Sequence, residues 1–168
     1  PGVDMTTGSL GQGVSAAAGV GYGLKLENKN QYVYVVLGDG ELNEGQCWEA
    51  FQFIAHHKLN NVIVVIDENK KQLDGFTKDI MFPFDIVKKL EAFGFHTQYV
   101  KGDDEKKISD AIETSKQVTD QAVCIVLDTI KGQGVKHFED MINNHSVVFN
   151  EEDNRIIEKA IEELKGLI

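Results

Sequence analysis

Three apolar runs constrain this chain more than any other feature. They are Tyr32–Leu37 (YVYVVL), Val62–Asp67 (VIVVID) and Ala122–Leu127 (AVCIVL). Each is a continuous stretch of β-branched and other apolar residues, the pattern of a strand buried on both faces. A shorter strand is expected at His96–Val100. Helix-period segments lie between them. Gly45–Lys58 sets Trp48, Phe51, Ile54 and Ala55 at helical spacing, and Pro83 leads into a helix near Phe84–Phe93. Asp103–Val118 carries Ile108 and Ile112 on one face, and Glu151–Gly166 forms a terminal helix. Strands that alternate with helices define an α/β fold with a mostly parallel sheet. Right-handed crossovers then place helices on both faces.

At 168 residues the chain is one domain by length. A domain of this size buries roughly 70% of its unfolded surface and needs no disulfide or metal staple. Cys47 and Cys124 make neither a zinc cluster nor a secreted disulfide framework, and both read as small core residues. No apolar run approaches the ~18 residues of a membrane span. Residues 8–26 (GSLGQGVSAAAGVGYGLKL) are rich in Gly and Ala. A helix there, starting at Thr6–Gly8 and ending in the loop Glu27–Gln31, needs tight packing or a ligand, because its glycines give poor helix propensity. Lys131–Asn150 reads as a long loop.

In an open parallel sheet, ligands bind beyond the carboxyl ends of the strands. Here those ends are the polar, glycine-marked segments Gly38–Glu44, Asp67–Gly75 and Asp128–Gly134. The net charge of −10 argues against a nucleic-acid or anionic-membrane partner. It also sets a condition on phosphate ligands. The first loop crowds Asp39, Glu41 and Glu44 together, and Asn43 stands where a dinucleotide fingerprint would want its third glycine. Two like charges about 4 Å apart repel by roughly 4 kcal/mol at an effective dielectric of 20, so a bare diphosphate is rejected. A divalent cation reverses that sign. Asn69, 30 residues after Asp39, adds an amide oxygen to the carboxylate. With a nearby backbone carbonyl, two phosphate oxygens and a water, this completes the octahedron that Mg²⁺ favours. Gly40 lacks a side chain, so its N–H has close access to a phosphate at a helix N-terminus.

GDG, then Asn about 30 residues on, both after buried strands, is the signature of thiamine-diphosphate enzymes. The chain strongly resembles the diphosphate-binding half of transketolase. Four stretches agree in order: TTGSLGQG (6–13), GDGELNEGQCWEA (38–50), DENKKQLDG (67–75) and TIKGQG (129–134) followed by His145. The resemblance implies these roles. Asp39 and Asn69 hold Mg²⁺, for which Ca²⁺ or Mn²⁺ substitutes, through side chains, and Lys71 holds it through its backbone carbonyl. Gly40 touches the diphosphate of thiamine diphosphate, and Gly8, Ser9 and Leu10 line the thiamine. Ser9 stands where many members of the family carry Pro. Glu44 belongs to an acidic network reaching toward the partner's active site, and His145 lies near the diphosphate and the reacting carbons. Lys70 and Lys71 are unusually polar neighbours for a metal, and Lys131 reads equally as an anion contact or an ordinary loop cation.

The family moves a two-carbon ketol unit from a ketose phosphate to an aldose phosphate, in the cytoplasm. Its pyrimidine-side domain, with the glutamate that activates the coenzyme, and its N-terminal stretch are not found in residues 1–168. The chain is therefore expected to be a fragment or the N-terminal subunit of a split transketolase. It would be inactive alone and completed by a pyrimidine-binding domain or C-terminal subunit in a homodimer or heterotetramer. The opening PGVDMTTG, without an initiator Met or signal peptide, fits that expectation. Two alternatives remain at this level. One is an enzyme of the 1-deoxy-xylulose-5-phosphate synthase type, with a poorer match at ELNEGQCWEA. The other is a non-catalytic cofactor-binding or assembly module.

Overall fold

The computed structural model describes residues 2–166. Pro1, expected in a turn, and Leu167 and Ile168, the last residues of the terminal amphipathic stretch, lie outside them. The elements are α1 (Gln12–Leu26), β1 (Val33–Gly38), a 3-10 turn (Gly40–Asn43), α2 (Gly45–His56), β2 (Val62–Glu68), β3 (Lys71–Gln72), β4 (Gly75–Phe76) and α3 (Thr77–Ile80). There follow α4 (Ile86–Ala92), β5 (Phe95–Lys101), α5 (Glu105–Gln117), β6 (Ala122–Asp128), α6 (Lys136–Asp140) and α7 (Glu151–Lys165).

The main sheet is parallel throughout, in the order β1-β2-β6-β5. Which side each helix takes follows from the right-handed crossover rule. The steps β1→β2 and β2→β5 run one way across the sheet, and their helices α2 and α4 share one face with α1. The step β5→β6 runs back, and α5 packs on the other face. Leu37, Val62, Val64, Ile66, Cys124 and Val126 fill the first core against Val14, Phe51, Ile54 and Leu90. Ile63, Val123 and Ile125 fill a smaller second core with Ala111.

β2 and β6 are interior strands buried on both faces, as their sequences require. β1 is not. It is an edge strand whose second face no helix among the described residues covers, leaving Tyr34 50% and Val36 69% exposed. An unbroken apolar run does not distinguish an edge strand from an interior one. α1 begins at Gln12, later than expected, because Gly11 adopts a left-handed φ of 81° that no helix continues. Within it Gly21 is required by packing: a Cβ there would lie 2.2 Å from Val62 Cγ2. α4 begins after Asp85, whose carboxylate accepts the Lys88 N–H at 2.9 Å, and α5 after Asp104, which does the same for Lys107 at 3.0 Å. The segment read as a polar loop after β2 contains the β3–β4 hairpin, and the long loop 131–150 contains α6.

Candidate functional site

The parallel register brings the strand ends level. Gly38 pairs with Asp67, Glu68 with Asp128, and Lys101 with Asp128. One residue past β1, Asp39 donates its N–H to the Asp67 carbonyl at 3.1 Å. Its side chain is only 1% exposed. One carboxylate oxygen accepts the Gly40 N–H at 2.9 Å, and the other accepts the Lys70 N–H at 2.7 Å. Asp39 is thus in direct contact with the turn that carries Asn69, through the Lys70 N–H. Lys70 reaches this position with a left-handed φ of 66°, a strained conformation for a side chain that is not glycine.

Burial pushes the Asp39 carboxyl up from 3.8 to about 6, and the neighbouring Asp67 and Glu68 charges push the same way against its two backbone hydrogen bonds. No cationic side chain lies within ion-pair distance of it among the described residues. Asn69 accepts the Lys71 N–H at 3.0 Å through Oδ1 and donates from Nδ2 to Asp67 at 2.8 Å. Asp67 also accepts from the Thr129 hydroxyl. The two lysines of this turn point elsewhere. The Lys70 ammonium pairs with Asp128, which also pairs with Lys101 at 2.8 Å. The Lys71 ammonium donates to the carbonyls of Glu139 and Met141 at 3.3 and 2.6 Å.

Among the described residues no three His, Cys, Asp or Glu side chains gather to hold a metal. What the turn offers near Asp39 is one carboxylate and the Asn69 amide, both hard oxygen donors. Such donors could hold Mg²⁺, Ca²⁺ or Mn²⁺ rather than a softer metal. A buried carboxylate with two carboxylates beside it and no cation paired to it is the feature a divalent ion would relieve.

The third strand-end loop supplies the positive side. Burial lowers the Lys131 ammonium's affinity for its proton, Lys71 pushes the same way, and Asp39 and Asp67 oppose them. Lys131 therefore stands in the field of the same carboxylates. Its Nζ lies 2.7 Å from His145 Nδ1. A lysine ammonium only donates, so that contact assigns Nδ1 as the acceptor and leaves the imidazole proton on Nε2. His145 is exposed.

On the other flank, the Glu41 carboxylate accepts the Gly11 N–H at 2.8 Å. Gly11 also packs so closely that a Cβ there would lie 3.3 Å from Glu44 Cβ. The turn holding Gly8, Ser9 and Leu10 therefore adjoins the start of α2, where Glu44 is exposed. Gly8 faces open space, with nothing in this chain within 4 Å of a Cβ built there. Gly40 is different. Its N–H is engaged by Asp39, it opens the 3-10 turn rather than α2, and a Cβ would come 2.7 Å from Gln72 Cβ. Glycine at 40 is thus demanded by the hairpin.

Sequence reasoning missed the contacts of Asp67 with Asn69 and Thr129, the link from Glu41 to Gly11 and the backbone bond of Lys70. A strand-end acid such as Asp67 carried a visible signal, whereas the Glu41 link did not. A cavity of about 170 Å³ beside Asp39 is walled by Glu68, Lys70, Phe76, Phe82 and Phe84. That is less than the roughly 300–1,000 Å³ of a complete small-molecule site. Cys47 and Cys124 are buried and unpaired, and burial pushes the Cys47 thiol up to about 12, so neither is a nucleophile. No helix among the described residues is long and apolar enough to cross a membrane.

The structure is a parallel α/β sheet that gathers a buried carboxylate, an amide and a lysine–histidine pair at its strand ends, the place where open sheets of this class bind ligands. The chain belongs to the transketolase family: the family model "transketolase, thiamine diphosphate binding domain" matches residues 1–162. The chain is 39% identical over 151 residues to the 6-deoxy-6-sulfo-D-fructose transketolase subunit SqwG of Clostridium sp. (strain MSTE9), covering 90% of this chain and 55% of that protein. It is 39% identical over 165 residues to an apulose-4-phosphate transketolase subunit of Actinobacillus succinogenes, covering 98% of this chain and 58% of that protein. The transketolase structure from Campylobacter jejuni superposes with a TM-score of 0.85 at 31% identity, covering 96% of this chain and 26% of that one. The chain thus spans little more than half of these subunit relatives and about a quarter of the longer enzyme.

Proposed function

We propose that this chain is the diphosphate-binding part of a transketolase that transfers a two-carbon ketol unit between sugar phosphates. Residues 1–168 act as one such domain. A partner domain or subunit carrying the pyrimidine side completes the site, in a cytoplasmic homodimer or heterotetramer. Asp39 carries the reading. It is a buried carboxylate, raised to about 6 and unpaired, in contact with the turn of Asn69. With the Lys71 carbonyl, these two side chains would hold Mg²⁺ against the diphosphate. When bound, thiamine diphosphate supplies the carbanion and electron sink.

This chain's own residues bind, orient and move protons. Gly8, Ser9 and Leu10 form an exposed turn suited to lie along the thiamine. The Gly40 N–H is available to the diphosphate once Asp39 turns to the metal. Lys131 offsets the phosphate charge and fixes the His145 ring, leaving Nε2 to exchange a proton with the sugar. Glu44, exposed at the head of α2, reaches toward the partner. The small cavity beside Asp39 supports a site finished by another surface.

The test combines the chain with a candidate partner subunit, thiamine diphosphate and Mg²⁺, and assays xylulose 5-phosphate with ribose 5-phosphate. The relatives named for 6-deoxy-6-sulfo-D-fructose and apulose 4-phosphate widen the donors to be tried. Ketol transfer that needs both chains is the expected result. Product only from pyruvate identifies a synthase, and no turnover with any donor identifies a binding module.

A further inference from the structure

We propose that the Lys71 side chain is a positioning residue. Its ammonium clasps the loop that carries His145 onto the loop that carries the proposed metal ligands.

Residues 129–150 lie outside the sheet, and α6 is a single short turn of helix. The loop is closed mainly on itself. The Asn144 amide donates to the carbonyls of Lys131 and Phe138 at 3.1 and 2.7 Å. The Gly134 N–H donates to Glu139 Oε1 at 2.9 Å. From α6, His137 holds Asp153 of α7 at 2.7 Å. These bonds give the loop a shape. Its first residue, Thr129, is tied to the strand ends, its hydroxyl donating to Asp67 and its carbonyl accepting from the Lys70 ammonium at 3.0 Å. Lys71 ties down the part that follows. It lies on β3, one residue from the Lys70 N–H that grips Asp39, and it is only 7% exposed. Its Nζ reaches 68 and 70 residues along the chain to the carbonyls of Glu139 and Met141. Those carbonyls sit where α6 ends and the chain has no helical partner to offer them, and a cation is favoured at that end. A buried ammonium stays buried only when its donors are matched. Here the matching partners belong to the His145 loop, and the Phe76 ring lies 5.4 Å beneath.

His145 follows Asn144 directly, so the clasp on Glu139 and Met141 fixes the stem from which the imidazole meets Lys131. An aliphatic residue at 71 would leave the proposed carbonyl ligand in place and lose the clasp. The metal-ligand role and the positioning role therefore separate by mutation. The consequence for turnover rests on the proposed transketolase function, whereas the clasp is a property of the chain without cofactor.

The experiment uses the full chain and its Lys71→Met and Lys71→Arg variants. Hydrogen exchange should rise roughly tenfold or more over residues 136–145 in Lys71→Met, with β2 and β6 protected as before. Long-range nitrogen NMR should show His145 leaving the Nε2–H tautomer for the mixture of a free imidazole, and Lys71→Arg should restore much of both. In the unmutated chain, couplings across the hydrogen bonds should connect the Lys71 ammonium nitrogen to the Glu139 and Met141 carbonyls. Absent couplings, or exchange and His145 signals unmoved by Lys71→Met, would overturn the proposal. If the unmutated chain with its partner binds no thiamine diphosphate, the functional reading fails and these signals still decide the clasp.

Discussion

The two halves of the site are built on different physics. Asp39 and Asn69 each sit one residue past neighbouring parallel strands whose register is fixed by buried side chains. A one-residue slip would turn Val62, Val64 and Ile66 out of the larger core, so the placement of these two residues is enforced by packing. Lys131 and His145 belong to a segment with no strand among the described residues, held by side-chain hydrogen bonds to carbonyls and to the His145 ring. The sheet-borne half is rigid and electrostatically frustrated. The loop-borne half is polar and held by hydrogen bonds. In the proposed function, that difference would let the first half grip an ion and the second move a proton.

The largest effect should come from the frustrated half. Asp39→Ala should abolish Mg²⁺-dependent binding of thiamine diphosphate, measured by calorimetry, while the circular dichroism spectrum stays native. Unchanged affinity would break the metal assignment and with it the contrast. His145→Ala should leave cofactor affinity within a few-fold and lower turnover of the reconstituted enzyme by about 10²–10⁴-fold, the usual range for a general acid–base group. Normal turnover would remove His145 from the chemistry and reduce its loop to a cover.

Legibility in the sequence follows the same division. The strands and the carboxyl-end loops are readable because burial on both faces leaves a continuous apolar run, and the candidate residues sit at fixed offsets from those runs. Asp39 and Asn69 are legible for that reason. The edge position of β1 is not, since Tyr34 and Val36 are apolar whether or not a layer covers them. Nor is the 71–76 hairpin, which consists of two-residue strands set by Lys70 and Gly75 at positive φ. The contacts of Lys71 with Glu139 and Met141 leave no trace, because a polar loop gives no periodicity from which to pair residues about 70 apart.

The frustration at Asp39 has a measurable size. Its folded value of about 6 lies above the ordinary 3.8, so between those values the native state holds the extra proton. The contribution of Asp39 to stability is therefore full below about pH 4 and is lost as the pH rises through 6, by roughly 3 kcal/mol. Urea unfolding of the cofactor-free chain at pH 4.5 and 7.5, compared with Asp39→Asn, should isolate that loss. Adding Mg²⁺ with thiamine diphosphate should erase it, since the cation replaces the proton. A loss that persists with both present would mean that the ion is held elsewhere.

The smallest effect tests the scaffold under the rigid half. Gly21→Ala would put a methyl 2.2 Å from Val62 Cγ2, on the strand that ends at the Asn69 turn. Overpacking of this kind costs about 1–3 kcal/mol, against roughly 1 kcal/mol that alanine contributes to a helix interior. The net should be a modest destabilisation, because Val62 lies in the core and Asn61 Nδ2 also holds the Gly21 carbonyl at 2.9 Å. If register alone fixes Asp39 and Asn69, the strand ends should stay in place while α1 shifts outward. Cofactor affinity should then change less than stability does. A larger fall in affinity than in stability would show that α1, through Gly11 and Glu41, helps to set the metal turn, and the rigid half would extend one helix further than the sheet.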